Sequence, residues 1–199
     1  MRRSLSARRD EAAFRAEQQR LVRLHQHEAE GALEVFYFDE TGLSLTPVVP
    51  YAWQHPRAPQ TVPSSRSSRV NVLGFMSRTN QSFFQTVIGT VSSAEVIAAF
   101  DAFAQQTQTA GVIRFVILDN ASIHHSEAFR DRLDTWLGQG LAIHYLPPYS
   151  PELNRIEILW RKLKYEWLPL SAYTSFAALK SALNSVLEQF GPKYRITFV

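Results

Sequence analysis

A chain of 199 residues, 45% of them hydrophobic, is long enough to bury one substantial core, and predicts a single globular domain with a terminal arm. The absence of cysteine excludes disulfides and thiolate zinc sites, and no apolar run approaches the roughly 18 to 20 residues that a membrane-spanning helix needs. The start, Met1 to Arg9, lacks the apolar segment of a secretion signal, so the expectation is a soluble cytosolic chain without a membrane partner; the net charge of +3 is only mildly basic.

Residues 1 to about 30 are rich in Arg, Glu, Gln and Ala, with apolar positions at Phe14, Leu21 and Leu24, and read as a charged helix. Residues 1–32 are therefore set apart as a helical leader or interdomain arm, ahead of a catalytic domain spanning 33–199. Within the leader His25 and His27 form an H-x-H pair, which without a third ligand nearby is not a metal site. Glu34 to Phe38 is a β-branched and aromatic run that predicts a strand, ending in a turn at Asp39-Glu40-Thr41-Gly42. Leu43–Val49, Val70–Met76 and Ser82–Ile88 predict antiparallel strands of a meander broken by Pro56, Pro59 and Pro63.

From Thr41 to Ala94 there is no Asp or Glu, while His55, Arg57, Arg66, Arg69 and Arg78 fall in that stretch. Such a segment suits a phosphate backbone, and a solvated Pro/Ser-rich loop with incidental arginines explains it equally well. Tyr51 and Trp53 either stack on unpaired bases or pack a hairpin. Ser92 to Glu95 resembles a capping box opening a helix that runs to Gly111, with Val96, Ile97, Phe100 and Phe103 at helical spacing. Val112 to Leu118 is almost wholly apolar, as a central strand covered on both faces should be, and it stops at Asp119. Ser126 to Leu137 reads as a helix and Leu141 to Leu146 as a strand. Ser150 and Pro151 then start a helix to about Trp167, and a last helix runs from Thr174 to Phe190. The order is that of an α/β fold.

Asp39 and Asp119 lie 80 positions apart, each directly after an apolar strand. If those strands are neighbours, both carboxylates emerge at one sheet edge and can share a cation; an acid at a strand's end is otherwise a turn residue or helix cap. A third acid comes from the helix after Ser150. There Ile156, Leu159, Trp160, Leu163 and Trp167 form an apolar stripe, and Glu157, Arg161 and Lys164 share the polar face beside it. Glu152 is explained by the helix dipole, and Glu157 by itself by an i,i+4 pair with Arg161. Hard oxygen ligands without cysteine suit Mg²⁺ or Mn²⁺, and two such ions about 3.5–4 Å apart can activate water or a 3′-hydroxyl and stabilise a leaving oxygen. No P-loop, G-x-G-x-x-G or G-x-S-x-G is present, which removes the commonest nucleotide-binding and hydrolase readings.

The segments Phe38-Asp39-Glu40-Thr41-Gly42, Leu118-Asp119-Asn120-Ala121-Ser122-Ile123-His124, and Leu146-Pro-Pro-Tyr-Ser-Pro-Glu-Leu-Asn-Arg-Ile-Glu-Ile-Leu-Trp160, with Arg161 to Lys164 after it, stand in that order. Together they resemble the three catalytic blocks of bacterial insertion-sequence transposases of the mariner-like superfamily, in the insertion-sequence-630 group. The resemblance covers residues 34 to about 168. It implies an RNase H-like, retroviral-integrase-like fold with a mixed five-stranded sheet flanked by helices. It makes Asp39, Asp119 and Glu157 the catalytic carboxylates and the ligands of two Mg²⁺ or Mn²⁺ ions.

The resemblance further implies double-stranded DNA as partner, cleavage at transposon ends, strand transfer into a TA target, and a homo-oligomer on DNA in the bacterial nucleoid. Two departures stand out. Arg155 occupies a position where the family commonly has Pro, and adds a possible phosphate contact. Family members also carry helix-turn-helix modules ahead of the core, where this chain has about 33 residues, so the expectation is a separately encoded DNA-binding protein, a truncated gene or a wrongly assigned start. Expected DNA contacts are Arg57, Arg66, Arg69, Asn120, His124, Asn154, Arg155, Arg161 and Lys164. Asn120, His124 and Asn154 are read alternatively as supports of the neighbouring acids. A non-catalytic DNA-binding regulator and a cellular nuclease on the same scaffold are the rival readings.

Overall fold

In β1 (Leu33–Leu43), Val35 and Tyr37 alternate with Phe36 and Phe38, all of them buried, so one strand offers apolar side chains to both of its faces. Burying both requires a layer of helices on each side of the sheet. The computed structural model, which describes residues 8–46, 68–106 and 111–198, has that arrangement. β2 (Val70–Ser77), β3 (Ser82–Ile88), β4 (Ile113–Leu118) and β5 (Leu141–Tyr145) complete a five-stranded sheet of order β3-β2-β1-β4-β5. The β1–β2 and β2–β3 pairs are antiparallel, and the β1–β4 and β4–β5 pairs are parallel, so the sheet is mixed.

On one face Phe36, Phe38, Leu73, Phe75, Val116 and Leu118 meet Phe100 and Phe103 of α2 (Ser93–Gln106), Phe129 of α3 (Glu127–Arg130) and Trp136 of α4 (Leu133–Gly138). Phe75 and Phe103 stack at 4.1 Å. On the other face Val35, Tyr37 and Ile117 meet Phe14 and Leu21 of α1 (Glu11–Ala29), Ile156, Leu159 and Trp160 of α5 (Ile156–Lys162), and Leu179 and Leu183 of α6 (Phe176–Glu188). Each such fully buried side chain is worth about 1.5–3 kcal/mol of hydrophobic transfer. The buried Glu17 of α1 reaches His144 of β5 at 2.6 Å, which pins the leader helix to the sheet. Among the described residues no helix is long and apolar enough to cross a membrane.

Several elements differ from the sequence expectation. β1 does not end at Asp39: pairing with β2 carries it from Phe36 through Leu43, and Thr41 and Gly42, read as a turn, lie in the strand. The capping box at the start of α2 forms as expected, with the Ser92 N–H donating to Glu95 Oε2 at 2.8 Å and the Ala94 N–H to Ser92 Oγ at 3.2 Å. The nearly apolar β4 conceals a buried Arg114, whose guanidinium donates to the carbonyls of Phe103 and Ala104 near the end of α2. The helix expected over 126–137 is split into α3, capped by Ser126, and α4. The helix expected from Ser150 is broken as well. A 3₁₀ turn, Pro151–Leu153, is followed by an extended Asn154, and α5 begins only after Arg155, ending in a π-helical turn at Leu163–Trp167. The expected strand over 43–49 falls partly outside the described residues, as do Tyr51, Trp53 and His55.

Candidate active site

The parallel register of β1 on β4 runs from Leu33 opposite Ile113 to Tyr37 opposite Ile117. Carried two residues further, it sets Asp39 beside Asp119, where the two chains leave their pairing and the sheet edge opens. Asp39, Asp119 and Glu157 line one cleft of about 360 Å³, walled by Asn120, Ala121, Asn154 and the loop Leu146–Pro151. In that loop Tyr149 has φ +58°, an uncommon conformation for a side chain without a local hydrogen bond to favour it. Glu157 stands in the first turn of α5, placed there by the break at Asn154 rather than by a helix start at Ser150.

Each acid is held differently. Asp39 is half-buried, and its Oδ2 accepts the indole N–H of Trp160 at 3.0 Å. Burial, followed by the charges of Glu157, Glu40 and Asp119, pushes its carboxyl well above the usual carboxylate range. Asp119 Oδ1 accepts the Ala121 N–H at 3.1 Å and lies 3.1 Å from His124 Nδ1. Burial opposes its ionisation, but the hydrogen bond and charge of His124 and the Ala121 N–H prevail and hold its pKa below the ordinary value. Glu157 is raised by desolvation against the cleft wall, with Lys164 opposing and Asp119 adding to the rise. Lys164 is itself lowered by burial, while Glu157 and Asp39 favour its charge and Arg69 disfavours it.

Two contacts of the acids are not legible in the sequence: that of Trp160 with Asp39, and that of Glu40 with His124, which is itself read there as a possible support of Asp119. Trp160 counts in the sequence as one residue of an apolar stripe, yet a buried indole N–H requires an acceptor, and here that acceptor is Asp39. His124 is fully buried, with Nδ1 toward Asp119 and Nε2 3.0 Å from Glu40 Oε1. Burial disfavours its charge, but the hydrogen bonds with Asp119 and Glu40 outweigh this and push its pKa up to about 10.

The expected DNA contacts separate into groups. Arg57 and Arg66 lie outside the described residues. Asn120 is exposed on the cleft wall beside His125, and Arg161 is exposed on α5. Arg69 folds over Gly42, where a Cβ would lie 1.9 Å from its Nε, and donates to Asn71 Oδ1 at 2.9 Å. Lys164 stands beside the acids. His124 and Asn154 face inward instead: both are buried, and Asn154 donates its amide N–H to the Phe38 carbonyl at 2.9 Å. Arg155 turns away from the cleft toward Phe198, 5.6 Å from that ring. Glu152, assigned to the helix dipole, pairs with Arg9 at 3.5 Å.

Among the described residues no three His, Cys, Asp or Glu side chains converge closely enough to hold a metal ion as they stand. The chemistry of the cleft nevertheless suits a hard divalent cation. Its donors are carboxylate oxygens, sulfur is absent, and the burial and mutual repulsion that raise Asp39 and Glu157 are offset by positive charge placed between them.

Comparison with known proteins agrees with this architecture. No curated protein sequence matches the chain. Among solved structures, the Mos1 mariner paired end complex with Mn gives a TM-score of 0.61 at 16% identity, covering 93% of this chain and 58% of that one. The Mos1 strand transfer complex gives 0.63 at 16% identity, covering 90% and 55%. The catalytic domain of Mos1 mariner transposase gives 0.60 at 15% identity, covering 93% and 85%. At such identities the likeness is one of fold: the mixed five-stranded sheet flanked by helices is the RNase H-like fold of that catalytic domain. The chain spans 55–58% of the length of the Mos1 chains in the paired end and strand transfer complexes. The DDE superfamily endonuclease family matches residues 34–180, most of the chain, and the protein belongs to that family.

Proposed function

We propose that this chain is the catalytic part of a transposase of the insertion-sequence-630 group, which cleaves DNA at transposon ends and joins the freed 3′-hydroxyls to target DNA at TA. The observation that carries the reading is that Asp39, Asp119 and Glu157 line one cleft, at the end of the parallel β1–β4 pairing that runs to Tyr37 and Ile117. Asp39, Asp119 and Glu157 are the residues that hold two Mg²⁺ or Mn²⁺ ions. When bound, these ions supply charge stabilisation at the phosphate and a water or 3′-hydroxyl activated for attack. A manganese-bearing Mos1 complex of the same fold supports the choice of metal.

The chain's own residues do the remaining work. Trp160 fixes one oxygen of Asp39, so that the other stays free to face the cleft. The Ala121 N–H and His124 hold Asp119 ionised. Glu157, exposed at the mouth, is the acid that DNA meets first, with Lys164 beside it to receive a phosphate. Residues 1–32 serve as a leader, whose helix α1 docks through Glu17 on a catalytic domain of residues 33–199. Its partners are double-stranded DNA, a second copy of the chain, and a helix-turn-helix module on this or another polypeptide, all in the bacterial cytoplasm.

The test is strand joining by the purified chain, with pre-cut transposon-end DNA and a target plasmid in Mg²⁺ or Mn²⁺. Joined products at TA are expected. DNA binding without joining would make the chain a regulator, and cleavage of RNA–DNA hybrids without joining would make it a cellular nuclease.

A further inference from the structure

Glu40 follows Asp39 directly, and in a strand adjacent side chains point to opposite faces. Asp39 shares the face of Val35 and Tyr37, where Trp160 meets it, while Glu40 shares the face of Phe36 and Phe38. On that second face Glu40 Oε1 lies 3.0 Å from Nε2 of His124, and the ring's Nδ1 lies 3.1 Å from Asp119 Oδ1. The imidazole has no exposed surface and packs edge-on to Phe38 at 5.7 Å, with Phe129 at 6.1 Å. A buried ring with the Glu40 carboxylate at Nε2, and with Asp119 at Nδ1 through both Oδ1 and its main-chain carbonyl at 3.3 Å, has one arrangement that satisfies both, in which each nitrogen donates an N–H.

We propose that Glu40 is a positioning residue that acts through His124 to hold Asp119 in its cation-binding orientation, and is not itself a ligand. The proposal rests on the assignment of Asp119 to the metal site. Ring packing against Phe38 and Phe129 fixes the plane of the imidazole, Glu40 fixes its rotation, and Asp119 receives the result as one oriented donor. The arrangement also accounts for a second acid beside Asp39 that does not enter the cleft: among the residues lining that cleft Glu40 is absent, while it lines the neighbouring one with Arg69 and Gly42.

Mn²⁺ binding to the full chain, followed by electron paramagnetic resonance of the free ion, tests this in parallel with thermal melting. Outer supports of metal ligands are worth about 10–100-fold in affinity, so His124→Phe and Glu40→Ala are each expected to weaken Mn²⁺ binding at least about tenfold. Because the two residues act as one unit, the double variant loses no more than either single one. Glu40→Gln recovers most of the loss: its amide donates to Nε2 of a neutral ring whose Nδ1–H still reaches Asp119. Equal losses in Glu40→Gln and Glu40→Ala would show Glu40 to be a ligand and overturn the proposal. A fall in melting temperature with Mn²⁺ affinity unchanged would overturn it too, by making the contact merely structural. Asp119→Asn separates the two levels: if that variant binds Mn²⁺ like wild type, the site assignment fails and the proposal falls with it.

Discussion

Gly74 stands opposite Asp39 in the pairing of β1 with β2, and a Cβ built on Gly74 would lie 2.6 Å from the indole ring of Trp160. The glycine is thus the space that lets the Trp160 ring come close to β2 and bring its N–H to Asp39. Gly74→Ala is expected to displace the indole, lower stability by about 1–3 kcal/mol, and reduce strand joining. Trp160→Phe removes the donor but leaves the packing nearly filled, so it is expected to reduce joining by about 10–100-fold while costing far less stability. Melting curves and joining rates on the two variants check the contrast; wild-type joining by Trp160→Phe would contradict it.

The His124 ring gives a pH signature in metal-free protein. Its pKa is raised from 6.5 to about 10, so the folded state binds its proton more tightly than the unfolded chain does. The resulting stabilisation is fully present below about pH 6.5, declines as pH rises, and is gone above about pH 10. Ring-nitrogen NMR is expected to find His124 doubly protonated at pH 8. Half-titration near the ordinary histidine value would contradict the bridge between Glu40 and Asp119.

Asn154 joins α5 to β1 by donating to the carbonyl of Phe38, next to Asp39. Asn154→Asp keeps the shape but, when ionised, turns an acceptor toward a buried carbonyl. A loss of about 1–3 kcal/mol at neutral pH is expected, from the unsatisfied group alone. Denaturant titration checks it, and a change within about 0.5 kcal/mol would contradict the role assigned to this side chain.

Arg161 and Arg155 separate DNA contact from internal packing. Arg161 is exposed one helical turn beyond Glu157, whereas Arg155 lies over Phe198. Arg161→Ala is expected to weaken DNA binding and to reduce the slope of log affinity against log salt by about 1, and Arg155→Ala to leave the slope unchanged. Fluorescence anisotropy over a salt series distinguishes them; equal slopes for the two variants would contradict the assignment.

What the sequence makes legible here is whatever local periodicity encodes. The apolar runs before Asp39 and Asp119, the Ser92–Glu95 capping box and the apolar stripe that Glu157 flanks all follow from patterns of a few residues. The parts that stayed hidden depend on partners far away in the chain. β1 continues past Asp39 because β2 supplies a paired neighbour there, and the helix expected from Ser150 breaks because the Asn154 amide is committed to Phe38, 116 residues earlier. Likewise nothing local to Glu40 announces His124, 84 residues on, and nothing local to Trp160 announces Asp39. Two general signals bear on these contacts: a buried Trp needs an acceptor, and a glycine inside an apolar strand marks a close approach.

The central claim is that Asp39, Asp119 and Glu157 act as one metal-binding set. Its most direct test compares strand joining in Mn²⁺ by wild type with Asp39→Asn, Asp119→Asn and Glu157→Gln, each confirmed to be folded by its melting curve. Wild type is expected to join DNA, and each of the three variants to lose joining to background while still binding DNA. Joining retained by any one of them would remove that carboxylate from the set and contradict the site as described.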